Sequence, residues 1–292
     1  MGIFLFLLTV IGAGGFTPAA AQDLAPDNPW VKPAEAFKIL GPIHYVGTED
    51  LAVYLIATPE GHIVIDGGVK GSIPAIEGSI RALGFKPEDI KILLTTQAHY
   101  DHVASMAYFQ RLSKARVEVM AGDAKLLETG GEADYLGAEW GAKARFEPVK
   151  ATRILKDGDK VTLGGVTLTA RHTPGHTPGC TTFIMDVPAG GRTYNVVFPG
   201  SMTINSGTRL VGKESYPGIA RDYARSLDFL ESLKPDITLM AHASAFDLPA
   251  KRDRLKKDPS SNPFGDVAGY RAWIAANRAN LQKQIKEQEA SR

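Results

Sequence analysis

Three short runs near the start of the chain, HYVG (44–47), AVYLIAT (52–58) and HIVIDGG (62–68), are rich in β-branched and aromatic residues and are separated by turn formers such as Pro59-Glu60-Gly61. That pattern predicts a β-meander. Ile73, Ile76, Ile80 and Leu83 then recur at helical spacing, which predicts an amphipathic helix over 72–83 closed by Gly84. KILLTT (91–96) reads as a buried strand running straight into QAHYDH, residues 103–114 as a helix, and VEVMAG (117–122) as another strand. From 153 to 187, Val, Thr and Leu alternate with polar positions and are broken by Asp-Gly and Gly-Gly turns, so a second set of strands is expected. A strand and exit loop over 194–201, a helix over 218–233, a strand over 237–242 ending in histidine, and a charged helical tail from Asp266 complete the series. Strands, helix and strand, twice over, predict an α/β fold of two packed β-sheets with helices outside.

Polar residues stand out where these elements end. Gln97-Ala98-His99-Tyr100-Asp101-His102 follows an apolar strand directly, and a strand end is a rigid platform from which loop side chains can converge on a metal. Gln97 and His99, two apart, project the same way along an extended chain. Asp101 and His102 fall where a helix begins and can turn toward a second site, so one segment can serve two ions. Further ligands are expected from His176, in His172-Thr-Pro-Gly-His176-Thr-Pro-Gly, and from His242 at the end of ITLMAH. Imidazole and carboxylate sets of this kind suit zinc, and catalytic zinc keeps one position open for water.

Composition narrows the partners. Thirty-three Lys and Arg against thirty-two Asp and Glu leave a net charge of +1 over 292 residues, which gives no electrostatic case for nucleic acid or an anionic membrane surface. The apolar run MGIFLFLLTVIGAGGF followed by TPAAAQD reads as a signal peptide cleaved after Ala21, leaving a catalytic domain over 22–292 in the periplasm. The alternative is an N-terminal anchor helix. One cysteine, Cys180, excludes a disulfide within the chain, so stability must come from packing and metal. Cys180 has no assigned base and no Ser-His-Asp arrangement is visible, so a covalent protein nucleophile is not needed.

With its HxHxDH-type motif, the TPGHTPG loop and the late strand-terminal histidine, the chain resembles the metallo-β-lactamase superfamily over nearly all of its mature length. GHTPGCTTF (175–183), AHASAFDL (241–248) and SNPFGDVAGYRAW (261–273) are similar to the third subclass, B3, of true metallo-β-lactamases. The resemblance implies a four-layer αββα sandwich and one or two zinc ions. Gln97, His99 and His176 would form the first site, and Asp101, His102 and His242 the second. Gln97 departs from the usual first histidine, although some members of the subclass also carry glutamine there. Because a neutral amide oxygen is a weaker zinc ligand than imidazole, the first site is expected to bind more weakly.

The implied activity is hydrolysis of the β-lactam amide of penicillins, cephalosporins or carbapenems by zinc-bound hydroxide, with Asp101 orienting the nucleophile, and hence antibiotic resistance. Asp66 resembles a buried aspartate that orients ligands, or else caps the turn before Gly67-Gly68. His172 is expected to support the site or the structure rather than bind metal. Other superfamily members, lactonases and thioester hydrolases among them, usually carry a metal-bridging aspartate after a strand resembling FxGD. Here the sequence reads Phe198-Pro199-Gly200-Ser201, which favours the β-lactamase arrangement. Ser201, Thr203, Asn205 and Ser206 are the candidates for holding the substrate carboxylate. A lactonase or thioesterase on the same metals is the alternative enzyme, and a non-catalytic zinc-binding protein the alternative from another class. The expected partner is a small β-lactam, and the expected state is a monomer.

Overall fold

Alternate residues of the central strands face different cores, and this alternation builds the molecule in layers. The computed structural model describes residues 24–260 and 262–291; the expected leader, 1–21, lies outside them. The first sheet runs in sequence order from β1 (Phe37–Leu40), β2 (Ile43–Tyr45), β3 (Tyr54–Thr58) and β4 (Gly61–Ile65) through β5 (Ile90–Leu94) and β6 (Arg116–Met120) to β7 (Arg153–Leu155). β1 to β4 are an antiparallel meander, and β4 to β7 pair in parallel. In β3, β4 and β5, Tyr54, Ile56, Ile63, Ile65, Ile92 and Leu94 face one core while Leu55, Val64 and Leu93 face another. Both faces are covered, which is why these strands read as almost continuous apolar runs.

The second of these cores is closed by α1 (Ile73–Ala82), α2 (Tyr100–Val103) and α3 (Met106–Ser113) through Ile76, Ile80, Val103, Met106 and Phe109. α4 (Ala121–Glu128) and α5 (Gly137–Trp140) follow β6. The other sheet holds β8 (Lys160–Leu163), β9 (Val166–His172), β10 (Thr181–Ala189), β11 (Arg192–Phe198) and β12 (Ile237–Thr238), in the order β12-β11-β10-β9-β8. Phe183, Met185, Val196 and Phe198 share the first core with Ile56 and Leu94, and the Phe198 ring meets Tyr54 edge-on at 5.2 Å. α6 (Ile219–Ser232) and α8 (Val267–Ala290) add Tyr223, Leu227, Ile274 and Leu281, and α7 (Leu248–Lys257), between them in the chain, adds Leu248. Helices flank two packed mixed sheets, so the expected αββα sandwich is the observed fold.

Several boundaries differ from the sequence reading. The helix expected over 103–114 is α3 alone, starting at Met106 and set off from α2, because the His102 carbonyl accepts the Gly67 N–H at 2.7 Å and the Ser105 hydroxyl donates to the Gly67 carbonyl at 2.6 Å. The strand expected over 117–122 ends at Met120, and Ala121 and Gly122 open α4. Only Ile237–Thr238 of the segment 237–242 pairs with β11; His242 instead bridges to Leu51, joining the second sheet's edge to the loop before β3. β1, α4, α5 and α7 were not anticipated, being short or weakly periodic.

Candidate metal centre

The carboxyl ends of β4, β5, β9, β11 and β12 come together at one rim, and the proposed metal ligands sit on the loops that leave them, or on α2 in the case of Asp101 and His102. Asp66, just past β4, is buried and adopts a positive φ of 61°, a conformation that costs a non-glycine residue energy. Its carboxylate does not cap the local turn. Oδ1 accepts the Thr96 N–H at 2.7 Å and the Thr95 hydroxyl at 3.1 Å, and Oδ2 accepts the Thr96 hydroxyl at 2.8 Å and faces His102 Nδ1 at 3.3 Å. Asp66 therefore holds the exit of β5 and faces the His102 ring.

Two groups of side chains form side by side. In one, His99 Nδ1 and His176 Nε2 face each other at 2.9 Å, and the His176 ring is held from behind by Nδ1–H donating to the Thr203 carbonyl at 2.7 Å. Gln97 belongs to the same wall, and its side-chain oxygen is buried without a hydrogen-bond partner among the described residues. In the other group, ligand atoms of Asp101, His102 and His242 all lie within 4.8 Å of one another. Asp101 Oδ2 stands 3.3 Å from His102 Nε2 and 3.4 Å from His242 Nε2.

The electrostatics differ between the groups. Burial pulls His176 down to about 3, reinforced by the neighbouring His99 imidazole, so it is a neutral donor. Burial opposes a charge on His102, but Asp101 and Asp66 outweigh it and push the imidazole up to about 10. Burial likewise works against ionised Asp101, yet His102 and His242 hold it well below the usual carboxylate range. The second group thus sets two imidazoles around the Asp101 carboxylate, with Asp66 behind His102.

Three carboxylates that sequence reasoning missed support these groups. Asp50 Oδ2 lies 3.1 Å from His242 Nδ1 and accepts the Trp30 indole N–H at 3.2 Å, while Oδ1 accepts the Ser244 N–H at 3.0 Å. Asp134 Oδ2 stands 2.9 Å from His99 Nε2, with both side chains buried. Asp123 accepts from Ala98 N–H at 2.9 Å, the Thr177 hydroxyl at 2.8 Å and Gly179 N–H at 2.7 Å, and so ties the 97–102 loop to the 173–180 loop. That pin needs close approach: a Cβ on Gly179 would sit 2.2 Å from the Asp123 nitrogen. In sequence each of the three reads as an ordinary turn or helix-start aspartate, so no local signal marks them.

The remaining expected residues are placed as follows. His172, at the end of β9, reaches the Pro178 carbonyl through Nε2 at 2.8 Å and braces the loop that carries His176. Ser201, Thr203 and Asn205 line a cleft of about 700 Å³ that opens onto both groups, whereas Ser206 is exposed and outside that lining. The Thr203 hydroxyl is shared with Ser201 Oγ at 2.9 Å and His176 Nδ1 at 3.1 Å. Cys180 is buried under the site, where burial raises its thiol and keeps it protonated, so it is no nucleophile. His44 and His62 both pack edge-on against Phe85, at 5.0 and 4.9 Å between ring centroids.

The donor set fits zinc. A buried amide oxygen with no partner is costly in a folded protein, and Gln97 Oε1 aims it at the same wall as two converging imidazole nitrogens. A cation of borderline softness satisfies such oxygen and nitrogen donors together.

An αββα sandwich with these loops gathered at one rim defines a metal-dependent hydrolase class. The chain belongs to the metallo-β-lactamase superfamily: residues 51–242 match its family model. It is 41% identical to the native FEZ-1 metallo-β-lactamase from Legionella gormanii, with a TM-score of 0.86 over 89% of this chain and 99% of that one. BJP-1, a subclass B3 metallo-β-lactamase of Bradyrhizobium japonicum, is 37% identical with a TM-score of 0.85, covering 91% of this chain and 99% of that one. These neighbours bear out the resemblance to the third subclass. A probable metallo-hydrolase of Burkholderia pseudomallei (strain 1710b) is 27% identical over 106 residues, or 36% of this chain and 34% of that protein. The chain spans about a third to a half of the length of the first curated relatives it matches.

Proposed function

We infer that this protein is a zinc-dependent β-lactamase that adds water across the amide bond of a β-lactam ring. The observation that supports it most is the convergence of Gln97, His99 and His176 beside Asp101, His102 and His242 in one cleft, with Ser201 rather than a carboxylate after β11. Gln97, His99 and His176 would hold one ion and Asp101, His102 and His242 a second. When bound, zinc supplies Lewis acidity and brings the pKa of a water ligand to about 7.

The chain's own residues supply the rest. Asp101, kept ionised by His102 and His242, accepts a hydrogen bond from the attacking water and aims it at the carbonyl carbon. Asp66, Asp50 and the Thr203 carbonyl fix the His102, His242 and His176 rings, so the donors need no reorganisation during reaction. Ser201 and Asn205, on the cleft wall, hold the substrate carboxylate, with Thr203 beside them. The water's oxygen ends on the acyl carbon as the ring C–N bond breaks, and the ring nitrogen takes up a proton.

We place the mature enzyme in the periplasm as a monomer after removal of residues 1–21. Among the described residues no helix is long and apolar enough to cross a membrane. The test is steady-state hydrolysis of imipenem and ampicillin with and without a chelator. Chelator-sensitive turnover of either supports the assignment. Turnover confined to a homoserine lactone or a thioester moves the protein to the alternative enzyme class, and bound zinc with no turnover on any of them overturns catalysis.

A further inference from the structure

The last helix carries an amide where its own pattern calls for an apolar side chain. Along α8, Tyr270, Ile274, Leu281 and Ile285 recur at helical spacing and pack on the first core. Position 288, one turn beyond Ile285, continues that stripe, and glutamine stands there. Lys286, Glu287, Glu289 and Ala290 around it are exposed, whereas Gln288 is partly buried.

What Gln288 meets is main chain. Its Oε1 accepts the Leu210 N–H at 2.7 Å, and its Nε2 donates to the Thr208 carbonyl at 2.9 Å. One side-chain amide thus satisfies two backbone groups two residues apart, as the peptide of a neighbouring strand would. Arg209, between them, pairs both of its own backbone groups with Ser215: its N–H donates to the Ser215 hydroxyl at 2.9 Å, and its carbonyl accepts the Ser215 N–H at 2.8 Å. Thr208 and Leu210 are both buried, so the groups that Gln288 satisfies can reach water only if the chain moves.

The segment held in this way is the far end of the loop that leaves β11, whose Ser201, Thr203 and Asn205 line the cleft. The near end is fixed independently, because the Thr203 carbonyl accepts the Tyr223 hydroxyl at 2.8 Å as well as His176 Nδ1–H at 2.7 Å. The Thr208 N–H donates to the Asn205 carbonyl at 3.1 Å. A shift at 208–210 therefore passes to Asn205, while Tyr223 keeps Thr203, and with it His176, in place.

We propose that Gln288 is a positioning residue: it clips the β11 loop to the end of α8 and so sets where Asn205 stands to receive the substrate carboxylate. The inference rests on the β-lactamase reading for the identity of the substrate. The clip itself belongs to the protein without substrate, and can be measured there.

Gln288→Leu continues the apolar stripe and offers neither hydrogen bond. Gln288→Glu keeps an acceptor for the Leu210 N–H and loses the donor to the Thr208 carbonyl. Deletion of residues 288–292 removes the clip by another route, should Gln288→Leu fold poorly. Hydrogen exchange of the zinc-loaded protein, read by mass spectrometry over 204–212, should quicken by roughly fivefold or more in Gln288→Leu and in the deletion. Gln288→Glu should stay closer to the parent, and exchange over 91–102 should not change in any of them. KM for ampicillin should rise by roughly threefold or more in Gln288→Leu and less in Gln288→Glu, with kcat and both steps of a zinc titration near those of the parent.

Unchanged exchange over 204–212 together with unchanged KM overturns the clip, and the β-lactamase reading stands because the parent still turns ampicillin over. Quickened exchange with an unchanged KM overturns the link to substrate. Quickened exchange across both sheets, or loss of a zinc step, makes Gln288 an ordinary fold contact and overturns the proposal as well. A parent protein that hydrolyses no β-lactam, yet whose 204–212 segment is released by Gln288→Leu, keeps the clip and overturns the β-lactamase reading.

Discussion

At position 97 an amide stands where the family resemblance leads one to expect an imidazole, and its buried oxygen has no hydrogen-bond partner among the described residues. Stepwise zinc titration of the apo-protein should therefore show one weak and one tight step. Gln97→His should strengthen the weak step by about tenfold or more, within the range that ligand changes produce; equal tight steps in the parent protein would refute the assignment. Asp66 makes a second test, since asparagine tolerates its left-handed backbone while removing the charge that faces His102. Asp66→Asn should fold and yet lower zinc affinity at the Asp101–His102–His242 group by about 10- to 100-fold. Unchanged affinity would mean that the carboxylate only anchors the β5 exit. Asp66 was singled out in the sequence, but Asp50, Asp123 and Asp134 were not. Their partners lie far along the chain, as with His242 for Asp50, and no spacing rule reaches that distance.

Between elements, the α4 start is pinned to both ligand loops by Asp123. Asp123→Ala would leave the Ala98 and Gly179 N–H groups and the Thr177 hydroxyl buried without acceptors, at roughly 1–3 kcal/mol each. A loss of several kcal/mol in denaturant stability is expected, and a loss below about 1 kcal/mol would show that the loops hold their places without it. Another element-level contact responds to pH. Burial holds the His44 and His62 imidazoles below their ordinary value, each in van der Waals range of Phe85. The unfolded chain then binds protons more readily than the folded one, so this contribution is complete above about pH 6.5 and declines as the pH falls below it. Replacing both histidines by leucine should flatten the acid side of the melting-temperature profile of chelator-treated protein between pH 7.5 and 5.5; a profile that keeps its slope would assign acid sensitivity elsewhere. The split between α2 and α3 belongs to this scale too. Residues 103–114 carry a helical pattern, but the Gly67 N–H takes the His102 carbonyl that would have continued the helix, and the Ser105 hydroxyl holds the Gly67 carbonyl.

For the molecule as a whole, the two sheets meet along the first core and carry the ligands on loops at their common rim, so metal should report on global stability as well as activity. Saturating zinc at 100 times its dissociation constant should add about 2.7 kcal/mol per site, raising the melting temperature of apo-protein on titration; a melting temperature indifferent to zinc would argue against a preformed site. The sequence by itself determined the α/β class, the apolar strands and the QAHYDH, TPGHTPG and late-histidine segments, because periodicity and residue chemistry are local properties. The tertiary structure alone decided which segments meet: the bridge from Leu51 to His242, the three supporting aspartates, and the gathering of all three tryptophans over one cleft. Those contacts join residues far apart in the chain, and only the packing of the two sheets brings them within reach of one another.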